Sequence, residues 1–210
     1  MFNPGASFCD PIGNTISFAS EFYYLIGNYS KVKMRTPISV KWNLPPLGWF
    51  KLNTDGSSLG NPGKAGGGGV IRNHLGDWVG GFSRAIGFTT SVQAELRALK
   101  DGLLLAIDLE ILNLEIEMDS LVVVDLINSS TTSNAFLSTV VDDCRSLLER
   151  FEQKSLKHIF REANSCADLL AKAGCAQQSD FVYFPNAPAH VLEALAFDVS
   201  NATRTRLISS

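Results

Sequence analysis

Between residues 49 and 85 apolar and polar positions alternate, with the period of two that is typical of a β-strand. In the first stretch Phe50, Leu52 and Thr54 alternate with polar neighbours. Gly, Asn, Pro and Asp residues mark two turns within the region, so the pattern predicts three antiparallel strands joined by hairpins. The predicted strands and turns cover, in order, 50–55, 60–63, 66–72, 74–77 and 78–85.

After residue 90 the apolar positions recur every three or four residues, which is the period of an α-helix. Val92, Leu96 and Leu99 begin this stripe, which predicts a helix of about 18 residues with Thr90 or Ser91 as its N-cap. The order of elements, βββαβααβα, predicts an α/β fold with a five-stranded mixed sheet flanked by helices. The later elements are a strand at 112–118, helices at 120–128 and 136–151, a strand at 155–160 and a helix at 164–175.

The two ends of the chain lack a sustained period. Residues 1–47 mix aromatic, Ser, Asn and Gly positions and end at a proline-rich breaker, so we expect a poorly structured lead-in. Residues 48–178 form the predicted domain, and 179–210 form a tail with a short strand-like piece and a helix. A chain of 210 residues, 45% of them hydrophobic, is enough for one domain with its own core.

Composition narrows the class of protein. No apolar run reaches the roughly 18 residues that cross a bilayer, and the first ten residues do not resemble a secretory signal. The four cysteines have no metal-binding spacing, so we expect reduced thiols in an intracellular protein. We also expect a soluble monomer without membrane contact. The nucleus and the cytoplasm fit this expectation equally. The net charge of −3 neither favours nor excludes a polyanionic partner, because bound cations would offset clustered acids.

Four carboxylates lie at or near the ends of predicted elements: Asp55, Glu95, Asp119 and Asp168. If the first and fourth strands are adjacent and parallel, they end at one edge of the sheet and bring Asp55 and Asp119 together there. Glu95 in the first turn of the long helix, and Asp168 in the last helix, can reach the same edge. Each acid taken alone also fits an ordinary turn, cap or solvated helix position. Their convergence is therefore geometrically possible, and it depends on how the predicted elements pack.

The run from Gly66 to Gly69 has two interpretations. A glycine-rich loop can cradle phosphate, but no Gly-Lys-Ser/Thr motif follows this run. A strand does follow, so close packing of another element against the backbone is the favoured interpretation.

Four motifs taken together carry a family resemblance. They are TDGSSLGNPGKAGGGGVIRN at 54–73, QAEL at 93–96, MDS at 118–120 and REANSCADLLA at 161–171. They resemble the ribonuclease H type 1 domain, and the preceding tract with Trp42, Pro45 and Trp49 is similar to its plant reverse-transcriptase-like branch, which derives from retroelements. The resemblance covers about 42–178 in the right order and does not extend to 1–40.

The resemblance implies a ribonuclease H-like fold and an Mg²⁺-dependent endonuclease that cuts the RNA strand of RNA–DNA hybrids, leaving a 5′-phosphate. In such chemistry two Mg²⁺ ions, for which Mn²⁺ can substitute, activate a water and stabilise the leaving 3′ oxygen. By resemblance Asp55 would bridge both ions, Glu95 and Asp119 would hold one, and Asp168 would complete the second. The residues implied as nucleic-acid contacts are Gly56, Ser57, Asn61, Ser91 and Lys172.

The chain departs from the family pattern in three places. Ser91 and Val92 stand where many members have two asparagines that read the substrate, and a valine side chain cannot hydrogen-bond. The stretch 160–163 lacks a histidine found in some members, whose part in proton transfer Glu162 could take over. There is also no room before the last acid for the basic handle of the bacterial enzyme. Recognition of the hybrid is the expectation that these departures put in question.

Three functions stay open on this sequence. The first is a ribonuclease H, and the second is a domesticated retroelement fragment that binds nucleic acid or a protein without turnover. The third is a processing nuclease for some other structured RNA. Retention of four acids favours an enzyme, since a binder has little reason to bury carboxylates that repel one another. The replaced asparagines and the absence of a basic face favour the binder.

Overall fold

The computed structural model describes residues 35–129 and 135–209 of the chain. Residues 38–206 form one compact unit, and 35–37 and 207–209 are grouped with a second. The strands are Arg35–Val40 (β1), Phe50–Gly60 (β2), Gly63–Arg72 (β3), Trp78–Thr89 (β4), Asn113–Met118 (β5), Gln153–His158 (β6), Phe181–Phe184 (β7) and Arg204–Ser209 (β8). The helices are Ser91–Asp108 (α1), Leu121–Asn128 (α2), Ala135–Leu148 (α3), Ser165–Ala176 (α4) and Leu192–Val199 (α5), with 3-10 turns at Arg161–Ala163 and Ala189–Val191. None of the helices in the described ranges is long and apolar enough to cross a membrane.

Among the described residues, a six-stranded mixed sheet has the order β6-β5-β2-β3-β4-β7. Strand β2 runs antiparallel to β3 and parallel to β5, and β5 runs parallel to β6. The predicted α/β fold with a mixed sheet is confirmed, whereas the predicted count of five strands is wrong. The sixth strand, β7, comes from the tail and pairs antiparallel with β4. Its Phe181 ring stacks on Phe82 with 5.5 Å between centroids. The pattern of a four-residue strand is too short to indicate which strand it pairs with.

One face of the sheet is covered by α1, against which α3 packs in turn. The helix begins as predicted, because the Thr90 side chain caps it by accepting from the Gln93 backbone N–H at 3.3 Å. Leu52 of β2, Leu99 of α1 and Val141 of α3 are fully buried in the apolar cluster between these layers. The helical and strand periods of the sequence therefore meet in one hydrophobic core.

The opposite face is covered in part by α4, which lies directly on the backbone of β3. A Cβ atom at Gly68 would come within 2.2 Å of the Ala171 backbone nitrogen, and one at Gly66 within 2.3 Å of the Cys175 nitrogen. Real Cβ atoms never approach so closely, so only glycine allows this contact. The interpretation of the glycine run as a site of close packing is confirmed.

The rest of this opposite face is buried although it is polar. Its buried polar side chains include Lys51, Asn53, Arg72, Glu115, Glu117 and Asp198. Arg72 is 1% exposed, and its guanidinium donates to Asp198 at 2.8 Å and to Asn53 Oδ1 at 2.7 Å. The Trp42 ring lies 3.7 Å from the Arg72 guanidinium, and the indole N–H donates to Asn53 at 2.9 Å. Hydrogen bonds and ion pairs therefore take the place of apolar packing here.

Trp42 belongs to the stretch that we expected to be poorly structured. Residues 1–34 of that stretch lie outside the described residues, but 35–47 differ from the expectation. Strand β1 pairs with β8, and Trp42 is only 3% exposed. The order of this segment comes from tertiary contacts, because the segment has no period of its own and covers the polar face of the sheet.

Candidate active site

The parallel pair of strands β2 and β5 brings two of the four acids together. Their register pairs Thr54 with Met118, so Asp55, which lies within β2, is beside Asp119, the residue that follows the end of β5. The Asp55 and Asp119 carboxyl groups contact each other. One ligand atom from each of Asp55, Glu95 and Asp119 lies within 4.8 Å of the other two. Three elements distant in sequence therefore supply one compact cluster of carboxylates.

Glu95 reaches the cluster because α1 approaches β2 at a glycine. A Cβ atom on Gly56 would lie 2.1 Å from the Glu95 backbone nitrogen, so any other residue would push the first turns of α1 away. The Gly56 backbone N–H donates to the Glu95 carboxylate. Gly56, which the resemblance marked as a nucleic-acid contact, is thus also the residue that seats Glu95 beside Asp55.

Burial and mutual repulsion make this cluster electrostatically unfavourable. Burial raises the pKa of Asp55 well above its usual value, and the charges of Asp119 and Asp168 raise it further. Burial, followed by the charges of Asp55 and Asp119, likewise raises the pKa of Glu95. The Glu95 Oε2 atom is buried and has no hydrogen-bond partner among the described residues. A divalent cation would relieve both conditions, and carboxylate oxygens are the donors that Mg²⁺ prefers, so these residues fit such an ion.

Asp168, the fourth predicted acid, lies next to the cluster on α4. Its charge acts on Asp55, but its carboxylate is not within the group of three. Arg161 Nη2 lies 2.6 Å from one of its oxygens, and Lys172 Nζ lies 2.5 Å from the other. The structure therefore brings three acids together and pairs the fourth with two cationic side chains.

Arg161 and Asn164 are residues to which the sequence analysis gave no role. The Arg161 guanidinium faces the cluster closely enough to lower the pKa values of both Asp55 and Glu95. Asn164 is 1% exposed, and its side-chain amide donates to the Thr54 carbonyl at 2.8 Å and to Asp119 at 3.1 Å. Both belong to the REAN motif at 161–164, so their presence in a matched motif was the only available signal.

The remaining predicted contacts surround the cluster. Asn61 Oδ1 accepts from the Ser91 backbone N–H at 3.0 Å, which ties the β2–β3 hairpin to the start of α1. The Ser57 carbonyl accepts from the Cys175 thiol at 3.4 Å. Lys172 is occupied by Asp168, although its side chain is 52% exposed and can turn outward. Their part in binding nucleic acid stays a prediction.

Glu162, proposed to take the part of the missing histidine, is held by an ion pair, and its part in proton transfer stays a prediction. Its carboxylate pairs with Arg206 of β8, with Nη1 at 2.9 Å from Oε2. The 3-10 turn Arg161–Ala163 that carries it is therefore tied to the C-terminal strand.

Comparisons with known proteins agree with the fold. A family model described as reverse transcriptase-like matches residues 53–174. A protein of Arabidopsis thaliana, provisionally named a ribonuclease H protein, is 37% identical over 169 residues, which are 80% of this chain and 27% of that protein. Ribonuclease HI of Halobacterium salinarum is 36% identical over 118 residues, which are 56% of this chain and 59% of that enzyme. The chain thus spans about a quarter of the first relative and less than two thirds of the second.

Solved structures show the same fold. RNase H1 of Halobacterium salinarum superposes with a TM-score of 0.58 at 32% identity, over 61% of this chain and 98% of that one. LC11-RNase H1, solved in complex with an RNA/DNA hybrid, gives a TM-score of 0.53 at 30% identity, over 60% of this chain and 96% of that one. The fold of this chain is therefore ribonuclease H-like. Because the family model matches more than half of the length of this chain, the chain belongs to the reverse transcriptase-like family.

Proposed function

We propose that the domain is a Mg²⁺-dependent endonuclease that hydrolyses the RNA strand of RNA–DNA hybrids. The observation that carries the proposal is the cluster of Asp55, Glu95 and Asp119, whose closest ligand atoms lie within 4.8 Å of one another. Grouping three repelling carboxylates, of which Asp55 and Glu95 are buried, is unfavourable unless a cation joins them. The likeness to ribonuclease H enzymes, one of them solved with an RNA/DNA hybrid, supports the substrate.

Asp55, Glu95 and Asp119 would hold one ion, and Asp55 and Asp168 would hold a second. Bound Mg²⁺ supplies activation of the attacking water and stabilisation of the leaving 3′ oxygen, which gives a 5′-phosphate product. Asn164 holds one oxygen of Asp119, so that its carboxylate keeps a fixed direction. Arg161 and Lys172 each contact one oxygen of Asp168, and both side chains are exposed enough to swing away when an ion binds there.

The test is cleavage of a labelled RNA–DNA hybrid in Mg²⁺ by the purified chain, beside an Asp55→Asn variant. Asp125→Asn removes one exposed carboxylate from α2 and is the charge-matched control. We expect cleavage by the wild type and the control and a loss of at least about 100-fold in the Asp55 variant. Duplex DNA should remain intact, and the products should carry 5′-phosphates.

Metal binding is measured separately by calorimetry with Mg²⁺ and Mn²⁺. Heat of binding in the wild type that disappears in Asp55→Asn would support the cluster as the metal site. A folded wild-type protein that binds neither ion and cuts no hybrid would end the proposal.

A second candidate is a binder of nucleic acid without turnover. Two observations favour it: Asp168 is already neutralised by Arg161 and Lys172, and Val92 replaces a hydrogen-bonding residue. Retained affinity for the hybrid with no cleavage in either ion would select this function. Cleavage of duplex RNA instead of the hybrid would select a nuclease for another structured RNA.

A further inference from the structure

The segment 160–165 carries two side chains that hold acids of the site. Arg161 donates to Asp168 at 2.6 Å, and Asn164 donates to Asp119 at 3.1 Å. The segment is a short 3-10 turn between β6 and α4, with few backbone hydrogen bonds of its own. Its position, and with it the direction of the two carboxylates, depends on what holds the turn from outside.

The C-terminal strand β8 holds this turn at several points. Arg204 Nη1 donates to the Glu162 carbonyl at 2.5 Å and to Ser165 Oγ at 2.9 Å. Arg206 forms an ion pair with the Glu162 carboxylate at 2.9 Å, and its guanidinium lies 4.6 Å from the Phe160 ring. Two arginines separated by a single residue therefore bind the turn at its start, middle and end.

Arg204 is itself held by α5. The Arg204 guanidinium lies 4.0 Å from the ring of Phe197 on α5, and α5 is anchored to the sheet through the buried Asp198–Arg72 pair. Charge-assisted hydrogen bonds and stacking of a planar guanidinium are more directional than apolar packing. Through Arg204, the turn is therefore held in a defined position relative to α5.

We infer that β8 is a positioning element of the candidate active site, with Arg204 and Arg206 as its positioning residues. They act through the 160–165 turn, which presents Asn164 to Asp119 and Arg161 to Asp168. The expected effect on turnover rests on the proposed function, whereas the effect of the two arginines on the position of the turn does not. Without the two arginines the turn keeps its sequence and its bond to the Thr54 carbonyl, and loses the support of β8.

The test uses the full chain with Arg204→Ala, Arg206→Ala and Arg206→Lys. Lys41→Ala is the matched control, because Lys41 binds Asn201 of the same tail at 2.7 Å without touching the turn. The first readout is nuclear magnetic resonance of the Asn164 side-chain amide and hydrogen exchange of the Ala163 and Asn164 backbone amides. It requires neither metal nor activity.

We expect both alanine variants to shift the Asn164 side-chain resonance and to speed exchange at the two amides several-fold. Arg206→Lys keeps the ion pair and loses the stacking on Phe160, so its effect should be smaller. Lys41→Ala should resemble the wild type. Unchanged amides in both alanine variants would overturn the inference, and so would equal changes in Lys41→Ala.

The second readout is the split between kcat and KM on the hybrid. Misplacing Asp119 and Asp168 should lower kcat about tenfold in the alanine variants and leave KM within about twofold, since a small misplacement mainly affects the chemical step. If the wild type proves inactive, the proposed function fails, while the amide measurements still decide the role of β8. If an alanine variant does not fold, Arg206→Lys supplies the same comparison.

Discussion

The two faces of the central sheet are both buried, but by different chemistry. The face under α1 is filled by aliphatic side chains such as Leu52 and Leu99. The other face combines the glycine contact with α4 and a network in which Arg72, Asn53 and Trp42 are joined by hydrogen bonds. Apolar burial tolerates many partners of suitable volume, whereas a buried charge requires one particular partner. The first face therefore sets the layers, and the second determines which segments can cover the sheet.

The largest effect should come from breaking the charged face. Asp198→Ala leaves Arg72 buried without its counter-ion, and should lower the free energy of unfolding by about 3–5 kcal/mol. Urea unfolding followed by circular dichroism measures this. Replacing both residues, as Arg72→Met with Asp198→Leu, should recover most of the loss. A double variant as unstable as the single one would mean that the two faces differ less than we infer.

A cavity in the apolar face should cost somewhat less. Leu99→Ala removes a fully buried side chain from the core and should lower the free energy of unfolding by about 3 kcal/mol. The loss should not depend on salt, because no charge is involved. Leu104→Ala, at an exposed position of the same helix, is the control and should cost under about 1 kcal/mol. Equal losses at the two positions would contradict the assignment of the core.

In the cluster of Asp55, Glu95 and Asp119, removing a charge should stabilise the protein. The pKa of Asp55 is raised in the folded state, so the stability linked to its proton is complete below the unfolded value of about 4 and is lost as pH rises through the raised value. Without divalent ions, Asp55→Asn should therefore increase the free energy of unfolding by about 1 kcal/mol or more at pH 7. At pH 4 the gain should be small. Urea unfolding in a chelator at both pH values checks this, and an equal gain at both would exclude repulsion as the cause.

The smallest effect should come from an exposed ion pair. Lys100 and Asp143 join α1 to α3 at 2.7 Å, but their side chains are 38% and 44% exposed. Asp143→Asn should change the free energy of unfolding by less than about 0.5 kcal/mol, and added salt should remove the difference. A loss comparable to that of Asp198→Ala would show that exposure does not separate the two kinds of pair.

The sequence predicted what depends on local period. The first hairpins and α1, with Thr90 as one of two candidate caps, followed from spacing, and the connection rules allowed the parallel placement of β2 beside β5. It could not predict that Lys51 and Asn53 are buried, because alternation with polar residues ordinarily indicates a solvent face. Trp42 was missed for the same reason, since its order comes from covering those polar side chains.

The candidate site likewise has one part that the sequence predicted and one part that it did not. The meeting of Asp55, Glu95 and Asp119 follows from the parallel pairing of β2 with β5 and from the approach of α1 to Gly56. The pairing of Asp168 with Arg161 depends on a turn whose shape is set by β8, and nothing in the sequence spacing encodes that contact. Roles that depend on a distant segment are the ones that sequence patterns leave out.

The contact of α4 with β3 through Gly66 and Gly68 has a consequence for how the site can vary. Main chain lies on main chain there, so the distance from Asp168 to Asp55 is a property of two backbones and not of any side chain between them. Substitutions on the outer side of α4 leave that distance unchanged, and the surface can diverge freely. A single methyl group added at Gly68 would act as a spacer under the helix, and the fourth acid would move with it.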